Sequence, residues 1–196
     1  MLLDIVILPP AKLRERIGQA VLRATRGVAC KYVIDNEKLI PHVSLFHIRT
    51  SKLRLAELSK IVREIAGQYK PFKIKSKGVR VGNPLYFWLS NDKNFKKIHR
   101  DTVLKSYHLR TGEMPWTSTK LPTKLESYFR KKYGTQHVLG LKSPHFTLVR
   151  LKNKADSQMV ARRLSSFKFE FIASEVAICE VNFWHQVTRI LKRFRV

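Results

Sequence analysis

Several features that would define a class of protein are scarce in this 196-residue chain. It has only two cysteines, Cys30 and Cys179, which lie far apart among ordinary apolar residues, so the sequence indicates neither a disulfide framework nor a zinc site. The apolar run 2–8 is short and is interrupted by Asp4, and no later run is long enough to cross a membrane. We therefore expect a soluble, cytoplasmic protein that makes no membrane contact.

Acidic residues are also scarce, because 14 Asp and Glu face 39 Lys and Arg, which leaves a net charge of +25. The basic residues are spread along the chain and are not gathered in a tail. A solvated, highly charged surface is one interpretation, but ion-pair networks of that kind need more acidic partners than this chain has. The charge therefore favours a polyanionic partner, and nucleic acid is the common one.

The chain has neither a cluster of carboxylates nor a glycine-rich loop followed by lysine. Phosphoryl transfer that depends on a divalent metal or on ATP uses such features. We accordingly expect no metal and no cofactor.

One short pattern occurs twice in the sequence. Residues 41–45 read Pro-His-Val-Ser-Leu, and residues 144–148 read Pro-His-Phe-Thr-Leu. Side chains alternate along a strand, so His42 and Ser44 should share one face of the first copy. A single copy would be interpreted as a polar pair on the surface or in the core. Two copies are expected by chance in about one chain in a hundred or fewer, so a functional role is the better interpretation.

The paired residues fit acid–base chemistry at a phosphate. Histidine both donates and accepts protons near neutral pH, so His42 and His145 could serve as one acid and one base. The hydroxyls of Ser44 and Thr147 could donate hydrogen bonds to phosphate oxygens. The other histidines lack a hydroxyl two residues later and are interpreted as structural or surface groups: His47, His99, His108, His137 and His185. His47 follows His42 by five residues, which predicts that it points to the opposite face of the strand.

The pattern of apolar residues predicts an α+β protein with two halves of similar element order. Strands are predicted at 4–8, 31–34, 42–48, 72–75 with 79–81, 85–89, 145–151, 167–171, 175–181 and 187–194. The strands at 167–171 and 175–181 are predicted to pair as a hairpin. Helices are predicted at 12–24, 53–66, from Asp92 towards Tyr107, 125–133 and 154–164.

An insertion at about 110–142 lies between the helix that starts at Asp92 and the second motif strand. Its aromatic residues alternate with basic ones: Trp116, Tyr128 and Phe129 with Lys120, Lys124, Arg130, Lys131 and Lys132. Such a surface suits base stacking along a phosphate backbone. A small satellite core with a solvated rim is an equally good interpretation.

The two His-apolar-hydroxyl-apolar tetrads resemble those of the 2H phosphoesterase superfamily, which includes RNA 2′,3′-cyclic phosphodiesterases and 2′-5′ RNA ligase-like proteins. This resemblance implies a bilobal fold over 1–196, with two antiparallel sheets and outer helices around a central groove. It implies that His42 and His145 are catalytic and that Ser44 and Thr147 bind phosphate. It further implies an RNA substrate and a chain that acts as a monomer without a metal.

The segment 78–90 resembles the hairpin between the lobes of that family. Cyclic phosphodiesterases of the family often carry an arginine near the start of its second strand, where this chain reads Asn83-Pro84-Leu85-Tyr86. Hydrolysis of a cyclic phosphate and ligation through a 2′-5′ bond would use the same groups, so both remain open. A non-catalytic RNA-binding module of the same fold would be expected to have damaged motifs, and here both motifs are intact.

Overall fold

The computed structural model describes residues 1–90, 93–118, 120–141 and 143–196. Within those residues the strands are β1 (Leu2–Ile7), β2 (Cys30–Val33), β3 (Val43–Arg49), β4 (Phe72–Arg80), β5 (Leu85–Leu89), β6 (His145–Leu151), β7 (Glu170–Ala173), β8 (Glu175–Val181) and β9 (Val187–Arg195). The α-helices are α1 (Ala11–Ala24), α2 (Leu55–Gly67), α3 (Lys93–Ser106), α4 (Lys124–Tyr133) and α5 (Ser157–Leu164). Asp92, the predicted start of the third helix, lies outside the described residues, as do Thr119 and Lys142 of the predicted insertion.

The strands form two antiparallel sheets, as predicted for the fold class. Sheet A has the order β3-β1-β8-β9, and sheet B has the order β2-β6-β5-β4-β7. Each sheet therefore takes strands from both ends of the sequence, and the two sequence halves do not fold as separate lobes.

The predicted hairpin between β7 and β8 was wrong. Only Ser174 separates the two strands, which is too short for the two-residue turn of a tight hairpin. The chain instead passes from one sheet to the other at this residue. β7 pairs with β4 in sheet B, whereas β8 pairs with β1 and β9 in sheet A.

Helices cover one face of each sheet. α2 and α3 pack on sheet A, against β8, β9 and β3, while α5 packs against β4 of sheet B with α1 beside it. Alternate residues of β1 show why: Leu3, Ile5 and Ile7 are buried in the large core beneath the helices. Burying each such side chain contributes about 1.5–3 kcal/mol. No helix in the described part of the chain is both long and apolar enough to cross a membrane.

The opposite face of sheet A buries a second, smaller apolar cluster and also carries polar residues, and the opposite faces of the two sheets meet at the turn between β8 and β9. The Arg150 guanidinium of β6 lies 4.5 Å from the centre of the Trp184 ring in that turn. The Tyr32 ring of β2 lies 6.3 Å from the same tryptophan. β3 of sheet A and β6 of sheet B approach within 8 Å between Cα atoms. We call the space between these two helix-free faces the cleft.

Candidate active site

Each motif strand contains a β-bulge at the same place in its motif. On β3, Phe46 pairs with Ile5 and Ser44 pairs with Val6, so Leu45 is the extra residue. On β6, Val149 pairs with Leu85 and Thr147 pairs with Tyr86, so the residue between them, Leu148, is extra. A bulge interrupts the alternation of side chains. As a result, two consecutive apolar residues are buried in each strand, at 45–46 and at 148–149.

The bulges return the next polar residue to the cleft. His47 lies on the same face as Ser44, and its Nε2 atom is 3.5 Å from the Ser44 hydroxyl. The prediction that His47 points to the opposite face was therefore wrong, because it assumed regular alternation. Arg150 occupies the corresponding position in β6. In both motifs two consecutive apolar residues are followed by a basic residue. This pattern is the sequence signal that could have indicated the bulges.

The two motif histidines are oriented by the same hydrogen bond. The Nδ1 atom of His42 lies 2.8 Å from the Ile40 carbonyl oxygen, and that of His145 lies 2.8 Å from the Ser143 carbonyl oxygen. A carbonyl only accepts, so Nδ1–H donates in both cases and the Nε2 atoms are the ones that can exchange protons. The proline before each histidine favours an extended conformation of the residue whose carbonyl accepts.

Around His42 the structure places a carboxylate that the sequence did not single out. Asp4 on β1 is fully buried, and its Oδ2 atom lies 3.1 Å from His47 Nε2 and 3.6 Å from His42 Nε2. An acidic residue in an otherwise apolar buried strand was the only signal for it. Cys179 is the β8 partner of Asp4, and burial, followed by the Asp4 charge, raises the pKa of its thiol.

Around His145 the neighbours are aromatic. The Tyr86 ring lies 4.9 Å from the imidazole and 5.7 Å from the Trp88 ring, which it meets edge to face. The Arg80 guanidinium on β4 lies 5.1 Å from the centre of the Trp88 ring and 5.8 Å from that of Tyr86. The start of β5 has no arginine, as the sequence indicated, but Arg80 brings one to this hairpin from the opposite strand.

The turn between β8 and β9 contacts both motifs. The His185 ring lies 4.9 Å from the His47 ring, while the adjacent Trp184 contacts Arg150. The side chain of Asn182 holds the turn, since its Oδ1 atom accepts from the backbone N–H groups of Trp184 and Gln186. The sequence pattern did not predict this role.

His99 on α3 connects the two motifs from behind. Its Nδ1–H donates to the carbonyl oxygen of the bulge residue Leu45 at 2.7 Å, and its Nε2 accepts from the Leu139 N–H at 2.8 Å. Leu139 precedes the second motif by a few residues. His99 is buried, in agreement with its interpretation as a structural group, whereas His108 and His137 are exposed.

The described part of the insertion combines buried apolar residues with an exposed basic rim. Its start pairs with the edge of β3 through the Arg49–Gly112 bridge, and Met114 is buried against sheet A. Tyr133 of α4 is also buried, and Lys131 and Lys132 beside it are exposed. These buried residues belong to the cores that the sheets form, and whether the rim stacks bases or binds RNA stays a prediction.

The structure thus groups His42 and Ser44 with Asp4 and His47, and groups His145 and Thr147 with Tyr86. The first group lies on sheet A and the second on sheet B, where their motif strands β3 and β6 approach within 8 Å between Cα atoms. The expectation that both rings reach one phosphate stays a prediction. No set of three or more His, Cys, Asp or Glu side chains in the described residues is arranged to hold a metal ion.

Comparison with known proteins identifies the fold. No family model and no curated protein sequence matches the chain. Among solved structures, TT0787 of Thermus thermophilus is similar over 100% of this chain and 97% of its own, with 16% identity and a TM-score of 0.64. E. coli LigT, solved with 3′-AMP, matches over 99% and 97%, with 15% identity and a TM-score of 0.57. Kluyveromyces marxianus Usb1 matches over 100% and 98%, with 12% identity and a TM-score of 0.50.

These three proteins belong to the 2H phosphoesterase superfamily. At such identities the likeness concerns the fold, and it spans the whole chain in each case. The resemblance that the two tetrads indicated is confirmed at that level: the chain has the 2H phosphoesterase fold.

Proposed function

We propose that this chain is a phosphodiesterase that opens 2′,3′-cyclic phosphates at RNA ends, or a related 2′-linked phosphodiester, without a metal. The observation that carries the proposal is the matched orientation of His42 and His145. Each ring donates Nδ1–H to the carbonyl two residues earlier, which leaves Nε2 as the atom that exchanges protons. Each histidine is followed two residues later by a hydroxyl residue, Ser44 after His42 and Thr147 after His145.

The reaction needs one base, one acid and donors to the phosphate. One imidazole Nε2 takes a proton from water while the water oxygen bonds to phosphorus. The bond between phosphorus and one ribose oxygen breaks, and the second imidazole delivers its Nε2 proton to that oxygen. Ser44 and Thr147 donate hydrogen bonds to the non-bridging oxygens, where negative charge increases in the transition state.

The surroundings of the cleft support RNA as the substrate. A net charge of +25 favours binding to a phosphate backbone. Tyr86 and Trp88 form a platform beside His145, with Arg80 over the rings, and nucleobases stack on such platforms. Beside α3, a cavity of about 430 Å³ is lined partly by Lys96, Arg100 and Ser143.

A second reaction, 2′-5′ ligation, is favoured by a different observation. Aromatic and basic residues also lie beyond Arg150, where Trp184 contacts Tyr32, Lys31 and the exposed Phe183. With the platform at Tyr86, this cluster would give one nucleoside site on each side of the phosphate. A ligase needs two such sites, because an RNA 5′-hydroxyl replaces water as the attacking group.

The test is incubation of the purified protein with an oligonucleotide that ends in a 2′,3′-cyclic phosphate, with EDTA present. We expect conversion to a single phosphomonoester isomer, and joined product when a 5′-hydroxyl RNA is added at high concentration would indicate ligation. The His42→Ala and His145→Ala variants serve as controls for contaminating nucleases. Binding without turnover would replace the proposal with an RNA-binding module, and activity restored only by a divalent metal would overturn the mechanism.

A further inference from the structure

We propose that the cavity beside α3 binds the phosphodiester that precedes the cyclic phosphate of an RNA end, so that the chain acts more efficiently on oligonucleotides than on mononucleotides. This inference rests on the proposed function, which names the reacting phosphate and does not say where the rest of the strand binds. The cavity lies between α3 and the residues just before the second motif, outside the cleft.

The first step is the size and the lining of the cavity. Its volume of about 430 Å³ lies within the range of small-ligand sites, roughly 300–1,000 Å³. Phe95 and Leu139 supply apolar surface, and the exposed Lys96 and Arg100 supply positive charge. A nucleotide combines the same two features, because it has an apolar ring face and an anionic phosphate.

The second step is the charge beside the cavity. Lys96 and Arg100 are four residues apart on α3, so their side chains are neighbours on one face of the helix. None of the ion pairs formed within the described residues involves either side chain. The single acidic residue of α3, Asp101, accepts a hydrogen bond from the Tyr69 hydroxyl at 2.6 Å, beside the end of α2. An anion between the two cations would relieve their repulsion, and a guanidinium matches the geometry of a phosphate.

The third step is the rigidity of the inner wall. The rings of Phe95 and His99 are parallel within 4°, with their centres 6.1 Å apart, and both side chains are buried. Hydrogen bonds to the Leu45 carbonyl and from the Leu139 N–H hold both nitrogens of the His99 ring. At Gly140 the cavity is open, since an added Cβ would meet nothing within 4 Å. A wall fixed in advance adds little ordering cost when a ligand binds.

The fourth step is the position of the cavity relative to the reacting phosphate. Ser143 lines the cavity, and its carbonyl accepts from Nδ1 of His145, two residues later. Two residues of extended chain span about 7 Å. Trp88 of the platform is the strand partner of His145, and the Leu89 N–H donates to the Pro144 carbonyl at 3.2 Å. A strand with its terminal base on this platform therefore needs only one more nucleotide to reach the cavity.

The kinetic test compares a dinucleotide that ends in a 2′,3′-cyclic phosphate with a mononucleoside 2′,3′-cyclic phosphate. In a variant with Lys96→Gln and Arg100→Gln, kcat/KM should fall roughly 10-fold for the dinucleotide and less than about 2-fold for the mononucleoside. An equal loss for both substrates, or no loss for the dinucleotide, would overturn the inference.

A neutral methylphosphonate linkage in the dinucleotide tests the same contact from the substrate side. It should lower kcat/KM of the unmodified protein by a similar factor and cause no further loss in the variant, because both changes remove one interaction. Additive losses would show that the two side chains do not bind this linkage.

The matched control changes Lys60→Gln and Arg63→Gln, one exposed lysine and one exposed arginine on α2, which alters the net charge equally. Its kcat/KM should stay within about 2-fold of that of the unmodified protein for both substrates. If the control lowered turnover of the dinucleotide as much, total charge would explain the effect and the inference would be wrong.

An NMR titration of the unmodified protein needs no turnover. We expect the His99 ring signals and the Gly140 amide signal to shift with a dinucleotide that ends in a 3′-phosphate, and to stay in place with a 3′-mononucleotide. These shifts without hydrolysis would refute the proposed function and support binding in the cavity. Hydrolysis of the dinucleotide without these shifts, or equal shifts with the mononucleotide, would overturn the inference alone.

Discussion

The two motif strands are alike in their local structure and differ in what surrounds them. Each has a histidine held at Nδ1 by the carbonyl two residues earlier, a hydroxyl two residues later, and a bulge that returns a basic residue to the cleft. The cross-strand neighbours differ, since Asp4 lies beside His42 and Tyr86 beside His145. The local pattern therefore orients the two imidazoles, and the neighbouring strands set the charge and polarity around them.

The positions of the two strands in their sheets also differ. β6 lies between β2 and β5, whereas β3 is at the edge of sheet A. An exposed edge presents unpaired backbone groups. The start of the insertion covers this edge, where the Thr111 N–H donates to the Arg49 carbonyl oxygen at 2.8 Å. The insertion thus contacts β3 at its last residue, Arg49, whereas β2 and β5 pair with β6 over several residues.

The largest expected effect comes from removing either catalytic ring. His42→Ala and His145→Ala should each lower kcat by on the order of 10² or more, because each removes one proton-transfer group. The double variant should lose little more than the worse single variant. Affinity for RNA, measured by fluorescence anisotropy, should stay nearly unchanged. If either single variant kept kcat within a few-fold of that of the unmodified protein, the prediction that catalysis requires both histidines would be contradicted.

The next effect concerns the connection between the motifs. His99→Leu leaves the Leu45 carbonyl and the Leu139 N–H without their buried partner, so we expect a loss of about 2–4 kcal/mol in the free energy of unfolding. Urea denaturation would measure it, and kcat should fall with it because the first bulge loses its support. The exposed His137→Ala should change stability by less than about 0.5 kcal/mol. Equal stability of the two variants would show that His99 does not connect the motifs.

A third prediction separates the two aromatic clusters. Loss of stacking costs about 1–3 kcal/mol per base, so Trp88→Ala should raise KM roughly 5- to 150-fold for every substrate that carries a base beside the phosphate. Trp184→Ala should raise KM only for substrates that have nucleosides on both sides of the phosphate. Steady-state kinetics with a mononucleoside cyclic phosphate and with a dinucleotide would compare them. If both variants affected both substrates equally, the clusters would not be separate nucleoside sites.

The smallest effect is expected at the rim of the insertion. Changing Lys131 and Lys132 to Glu should weaken binding of a long RNA and reduce its salt dependence. The slope of log affinity against log salt should become shallower by about 0.7 for each phosphate that the variant no longer binds. Cleavage of a mononucleoside cyclic phosphate should barely change. The matched control changes Lys60 and Arg63, exposed on α2, to Glu and shifts the net charge equally. If the control weakened RNA binding as much, total charge and not the rim would explain the effect.

The sequence predicted much of this arrangement, for identifiable reasons. Apolar periodicity located nearly every strand and helix, and the repeated tetrad identified His42 and His145. The position of His47 was missed because a bulge depends on pairing with another strand, which a single strand does not reveal. Asp4 was missed for the same reason, since its proximity to the histidines depends on β1 pairing with β3. The wrong pairing of β7 and β8 shows that strands adjacent in sequence can belong to different sheets.

The interleaving of the sheets has a consequence for how the protein is made. β1 and β3 are synthesised early, yet sheet A also contains β8 and β9, and the second motif depends on β2 and β5 from the first part of the chain. Contacts between segments so distant in sequence form late and slowly in folding. A ribosome-bound chain that has not yet released β8 therefore has the first motif on an incomplete sheet. Products truncated before β8 would therefore lack a completed sheet A and, under the proposed function, would be inactive.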